Sequence, residues 1–357
     1  MSKMKFKDNA ENNFDGIRLA LALIVVFVHV ATLTSAPEFR FWRPWLSSVY
    51  AVKGFFAISG FLVTQSYLSS RSNLEYFEKR GRRIYPAYFV TILGCLLIGA
   101  IVSDLDVARY FTDLKTWKYL FANLAFMNFV QPTLPGVFQQ NVEPFLNGAL
   151  WTIKIEVCLY FILPFIIFSY RKFDASLVTV LAYAFSIAWL LGFQKLASHG
   201  GIYKELSHQF PGQLSYFVVG AYLAYTKMNS SKLRKLTLFS GIAFLLSTYF
   251  GFRVFVEPLF YASITIFLAT GLPWKLYRGK YGDFSYGIYL VHFPIVQLLI
   301  WMGAFKNQPF VGLAITLVLV VVAAVLMWQF VEKGFLKRSP HKALLAPPYS
   351  QRLPKQM

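Results

Sequence analysis

Apolar residues in this chain gather into long runs separated by short polar stretches. Ten of these runs approach the roughly 20 residues needed to cross a bilayer. They lie at approximately 14–34, 49–68, 86–103, 149–170, 174–192, 210–226, 236–250, 254–272, 283–301 and 310–331. The pattern predicts an all-α, polytopic membrane helix bundle of about ten transmembrane helices. Pro86 is expected to open the third span, where its missing N–H costs little. The run over 117–130 is apolar but short for a span, and a crossing there would invert every later loop. It is placed outside or at the interface, within an extended outer segment from Asp104 to Gly148. Long outer loops often carry binding.

Charge orients the bundle. Of 357 residues, 57% are apolar and 14% charged, with a net charge of +19. The basic residues cluster between apolar runs rather than on a soluble surface, so membrane lipid is the expected partner and nucleic acid is not. With the N-terminus in the cytoplasm, 24 of the 35 Lys and Arg fall in cytoplasmic segments and nine in outer ones. Lys53 and Lys154 remain within the membrane. This bias puts both termini in the cytoplasm. Residues 1–13 then form a cytoplasmic N-terminal segment, 14–331 the membrane domain, and 332–357 a cytoplasmic tail, partly disordered around Pro347, Pro348 and Pro354. Lys3, Lys5 and Lys7 loosely fit a signal peptide, but the following run is long for one and carries ionisable residues. Cys95 and Cys158 sit inside apolar runs, so neither a disulfide nor a metal site is expected.

The first span holds His29, an ionisable group costing roughly 2.5 kcal/mol or more at a bilayer centre. Arg18 stands eleven residues earlier, about three turns and 16 Å of rise away on the same helix face. Glu156 is about seven residues from the outer end of the fourth span, and His29 about five from the outer end of a helix running oppositely. The two are expected at one depth, either as an acid/base pair or as a structural buried pair. Lys154, two positions away, faces elsewhere. Arg80 and Arg83, three apart at the cytoplasmic start of the third span, share a face that suits phosphate binding, or serve only as a topology signal. Gly54, Ala57, Ser59 and Gly60 permit close helix approach, and Ser59 could donate into a cavity. His292, seven residues after Ser285 on one face, either lines the same cavity or is a satisfied buried histidine.

In this order the segments resemble the acyltransferase 3 family of integral-membrane acyltransferases. The resemblance rests on Arg18 with ten residues before His29, and on Phe55-Phe56-Ala57-Ile58-Ser59-Gly60-Phe61-Leu62. It continues through Arg80-x-x-Arg83-x-x-Pro86, Leu150-Trp151 leading to Glu156 and Tyr160, Ser285-Tyr286-Gly287-Ile288-Tyr289-Leu290-x-His292, and Glu332. It covers roughly residues 13 to 335. Thr152 stands where the family often has serine, and Lys333-Gly334 follow Glu332 where a proline is common.

The resemblance implies a multi-pass enzyme of the bacterial inner membrane that moves an acyl group, usually acetyl, from cytoplasmic acyl-coenzyme A to a glycan hydroxyl. Acceptors in the family include O-antigen, exopolysaccharide and peptidoglycan, so a glycan or lipid-linked oligosaccharide is the implied partner. No permanently bound cofactor is expected, acetyl-coenzyme A being the donor substrate. His29 matches the catalytic histidine, acting as general base or as a transiently acylated nucleophile. Glu156 matches the acidic residue beside it, and Arg80 and Arg83, with Arg18, the donor-binding arginines. Ser59, Ser285 and His292 are supporting candidates. The membrane domain would acylate the acceptor itself or hand over to a separate periplasmic partner. The competing class is a proton-coupled transporter or flippase of glycan intermediates, which also uses intramembrane His, Glu and Arg, though no paired half-length spans or inverted repeat are visible. A non-catalytic scaffold in polysaccharide export is the third.

Overall fold

A computed structural model describes residues 12–272 and 282–337. Lys3, Lys5, Lys7, the loop cations Lys275, Arg278 and Lys280, and the tail from Arg338 onward lie outside the described residues. Helices follow one another as α1 (Phe14–Thr34), α2 (Ser48–Leu68), α3 (Asn73–Val102), α4 (Val107–Thr112), α5 (Leu114–Leu124), α6 (Trp151–Lys172) and α7 (Ala175–Leu196). Then come α8 (Gly201–Ser207), α9 (Phe210–Tyr225), α10 (Ser230–Tyr249), α11 (Glu257–Thr270), α12 (Ser285–Trp301), α13 (Pro309–Met327) and α14 (Lys333–Lys337). No strand occurs among the described residues. Each of the ten expected runs coincides with a helix. Five helical stretches are long and apolar enough to cross a membrane by themselves: Phe14–Thr34, Asn73–Val102, Gly148–Lys172, Ala175–His199 and Pro309–Leu336. Large apolar side chains such as Leu238, Phe239, Ile242 and Leu245 on α10 and Val318, Val321 and Val322 on α13 point outward. Water does not tolerate such a surface and lipid does, so this is a multi-pass membrane protein.

The third span corrects one expectation. Pro86 does not open the helix; α3 starts at Asn73 and carries Pro86 inside it. The helix nucleates earlier because the Ser72 side chain accepts from the Glu75 N–H at 3.2 Å, a working N-cap. The polar stretch Glu78-Lys79-Arg80-Gly81-Arg82-Arg83 is therefore helical and carries the arginines on an extension of the span. The run over 117–130 is not one continuous helix. Its first part forms the 11-residue α5, whose buried face is Thr116, Tyr119, Leu120 and Asn123.

The bundle is drawn tight where α2 crosses α9. A Cβ at Gly60 would lie 2.0 Å from the Phe217 carbonyl oxygen, and one at Gly220 would lie 2.2 Å from that of Ala57. Only glycine fits at either point, which realises the close approach expected of the small residues in α2. On the other flank α1 lies against α12. Arg18 meets Asp283 and His29 meets His292, so residue numbers rise together along the two helices and they run parallel. The segment after α5 closes over this pair. Gln297 of α12 donates to the carbonyls of Glu143 and Phe145 at 2.6 and 2.7 Å and accepts from Asn141 at 2.9 Å. Asn147 donates to the Leu290 carbonyl at 2.9 Å.

Candidate functional site

The site begins at a knot of charge where α1, α3 and the approaches to α12 and α14 meet. Arg18 and Arg83 both grip Oδ2 of Asp283, and Arg83 reaches Glu332 at 3.3 Å. Ser285 holds the other oxygen of Asp283, with its hydroxyl at 2.5 Å and its N–H at 3.1 Å. Glu332 is buried on the π-helical turn Trp328–Glu332, and that turn re-aims its side chain at Arg83. Two guanidinium groups inside a bundle need such carboxylates, since an uncompensated buried charge is costly.

Arg80 is placed differently. Its Nη2 donates to Ser66 at 3.0 Å, its Nε has no partner, and its guanidinium carbon lies 6.0 Å from the Tyr160 ring centre. Among the described residues no carboxylate reaches it. Arg18, Arg80 and Arg83 all line one cavity of about 770 Å³, its open mouth included. Deeper in, the same cavity is bordered by Ser59, Glu156, Tyr160, Thr152 and Tyr289. Oε1 of Glu156 accepts from Ser59 at 3.1 Å and from Tyr160, one turn along α6, at 2.5 Å. Its Oε2 has no hydrogen-bond partner among the described residues and is not sealed off. Lys154, as expected, turns away and sits 4.8 Å from the Phe129 ring centre.

Thr152 and Tyr289 close the far end, their hydroxyls 2.6 Å apart. Beyond that wall stand the histidines. His29 Nδ1 is 2.8 Å from His292 Nε2, and His292 Nδ1 is 2.8 Å from the Tyr289 carbonyl. A carbonyl only accepts, so His292 carries its proton on Nδ1 and presents a lone pair on Nε2. His29 must then donate from Nδ1, which leaves the lone pair of a neutral His29 on Nε2. Among the described residues that nitrogen has no hydrogen-bond partner, and His29 keeps some exposure, whereas His292 is fully buried. Phe293 packs edge-on against His29 with ring centres 5.4 Å apart.

The expected His29–Glu156 pair is not formed. Glu156 lies one turn inward of Thr152, and Thr152 bonds Tyr289, three residues inward of His292, so about 10 Å of depth separates carboxylate from imidazole. Of the two readings of His292, the structure selects a buried ring bonded to His29, outside the cavity lining. Ser59 does donate into the cavity. Arg18, Arg80 and Arg83 do converge. Sequence reasoning missed Asp283, although an acid two residues before Ser285 at a span boundary was a visible signal. It also missed Tyr289 as the wall between cavity and histidines, and a second buried ion pair, Lys53 with Glu257, joined by Tyr216 at 2.6 Å.

Comparison with known proteins places the sequence in one family. The model of the acyltransferase domain family matches residues 11–329. An O-acetyl transferase of Shigella phage Sf6 is 28% identical, over 94% of this chain and 98% of that one. Nodulation protein 10 of Rhizobium leguminosarum is 27% identical over 91% and 93%. A putative peptidoglycan O-acetyltransferase of Bacillus subtilis is 23% identical over 89% of this chain and 54% of its own length. No solved structure matches.

Proposed function

This chain belongs to the acyltransferase domain family, and on that premise we propose that it moves an acetyl group from cytoplasmic acyl-coenzyme A to a hydroxyl of a cell-surface glycan. The relatives named as O-acetyl transferases support acetyl as the group, and the Bacillus relative supports a glycan as the acceptor. A glycan or lipid-linked oligosaccharide on the far side of a bacterial inner membrane, ten crossings and cytoplasmic termini complete the reading. A separate periplasmic partner is not needed for the chemistry below.

One observation carries it. A single cavity starts at Arg18, Arg80 and Arg83 and ends at Tyr289, whose ring centre is 5.7 Å from that of His292. Arginine forks suit the phosphates of a donor. A narrow arm lying along the cavity would bring its thioester to the Tyr289 wall, and the Tyr289 ring must swing aside for the carbonyl carbon to meet an oxygen held by His29. His29 Nε2 takes the proton of the acceptor hydroxyl as that oxygen bonds to the thioester carbonyl carbon. The C–S bond then breaks, and the departing thiolate takes the proton back from the imidazolium. His292 holds the His29 ring in the tautomer that leaves Nε2 free.

Membranes given radiolabelled acetyl-coenzyme A should pass label to glycan, and His29→Ala should abolish this at unchanged abundance. Label transfer by His29→Ala equal to wild type overturns the assignment. A surface glycan lacking one acetyl unit per repeat when the protein is absent, by mass spectrometry, identifies the acceptor.

A further inference from the structure

Two opposite charges line the same cavity without an ion-pair partner among the described residues. Among the described residues Arg80 has only Ser66 as a hydrogen-bond partner and leaves its buried Nε unused, and Glu156 leaves Oε2 unused. Inside a helical bundle such groups are expensive unless something else completes them. Along α6 the cavity is marked at one-turn intervals. Tyr160 faces Arg80, Glu156 is next, and Thr152 bonds the end wall at Tyr289. From the arginine level to the wall is about 12 Å, with the carboxylate midway. A carboxylate at that depth repels phosphate and thioester oxygens and attracts N–H donors. A pantetheine arm places amide N–H groups there, between its phosphates and its sulfur.

We propose that Glu156 binds the arm of the donor, its free Oε2 accepting an amide N–H while Arg80 takes the phosphates. This rests on the acyl-coenzyme A reading above and deepens it. Glu156 thereby serves recognition of a secondary-amide chain, one turn and more inward of the histidines that handle the acceptor hydroxyl. Ser59 and Tyr160 fix the carboxylate by holding Oε1, so Oε2 points at the passing arm.

The test compares acetyl-coenzyme A with S-acetylpantetheine, which keeps the amides and lacks the nucleotide. Glu156→Gln removes the charge at nearly constant shape and should raise KM about tenfold or more for both donors, the loss of one charge-assisted hydrogen bond, with the effect on KM rather than kcat. Arg80→Ala should raise KM for acetyl-coenzyme A and not for S-acetylpantetheine. An S-acetyl donor whose amide N–H is replaced by an ester oxygen should bind Glu156→Gln no worse than wild type. Ser59→Ala, which leaves the charge in place, should give a smaller KM change in the same direction and guards against a fold defect in the first variant. If Glu156→Gln lowers kcat at constant KM, or changes neither, the inference is overturned while the Arg80 result still upholds the donor reading. If wild type neither binds nor consumes acetyl-coenzyme A, the donor reading falls and this inference with it.

Discussion

His29 donates from Nδ1 to His292 Nε2 at 2.8 Å, and His292 donates from its own Nδ1 to the Tyr289 carbonyl. The proton order is set by the end of the chain, because a backbone carbonyl has no proton to give. Two histidines one hydrogen bond apart could otherwise exchange tautomers freely. Anchored on α12, the pair has one arrangement, with the lone pair of a neutral His29 directed away from His292. The aspartate of the serine-protease triad holds its histidine's tautomer by the same logic.

Replacing His292 should therefore damage transfer without touching donor binding. His292→Ala removes the acceptor that holds His29 Nδ1–H and should cut kcat by about 10²-fold or more, within the range of a general base's whole contribution. His292→Gln keeps an acceptor oxygen near the old Nε2 position and should recover part of that loss. Acetyl transfer per molecule of protein in membranes measures both. Equal rates for Ala and Gln would mean His292 only fills space.

Asp283 is the hinge of the charge knot, serving Arg18 and Arg83 together. Asp283→Ala leaves two guanidinium groups facing each other with Glu332 and the nearby Asp15 to offset them. The loss should be about 3–5 kcal/mol, the usual cost of removing one partner from a buried pair. Arg83→Met combined with Glu332→Leu keeps the Arg18–Asp283 pair, strands no carboxylate and should be milder. Thermal aggregation of detergent-extracted protein distinguishes them, and a milder Asp283→Ala would mean the knot is hydrated and weak.

Much of this was legible in the sequence because membrane helices announce themselves by length and composition. All ten runs became helices, and one cavity is lined by Arg18, Ser59, Glu156, Arg80, Arg83 and Ser285 without His29. Partnership was harder to read. Matching His29 with Glu156 relied on counting residues from helix ends, and an error of one turn shifts a side chain by about 5 Å. His292 and Asp283 pair with residues 200 to 265 positions away, and single-chain periodicity cannot tell which helices are neighbours. The early start of α3 was hidden because Pro86 suggested a boundary, while the Ser72 cap was the stronger local signal.

Lys53 and Glu257 join α2 to α11, with Tyr216 of α9 donating to the same carboxylate oxygen and Arg253 reaching the other at 3.3 Å. Glu257 is almost fully buried, so removing it strands the ammonium inside the bundle. Glu257→Leu should lose about 3–5 kcal/mol, whereas Lys53→Met combined with Glu257→Leu should recover much of it. Additive losses in the double variant would show the pair to be uncoupled. The arginine cavity is lined by other residues, so KM for the donor should not change in whatever protein still folds.

Gln297 is fully buried, and its amide makes three of the contacts that hold the outer segment to α12. Gln297→Leu keeps the bulk but leaves the carbonyls of Glu143 and Phe145 and the Asn141 amide without that partner, at about 1–3 kcal/mol for each group left buried and unpaired. The same segment continues to Asn147 and Gly148, and Gly148 packs so closely on Phe293 that a Cβ there would lie 2.7 Å from its ring. Phe293 in turn rests on His29. Loosening the segment should therefore reach the histidines and not the arginines. The expected result is faster hydrogen exchange over 138–148, slower acetyl transfer and an unchanged KM for acetyl-coenzyme A. Gln297→Glu should be worse than Gln297→Leu, since a carboxylate cannot donate to two carbonyls and is repelled by both. If exchange quickens while transfer holds at the wild-type rate, the segment covers the histidines without helping to position them.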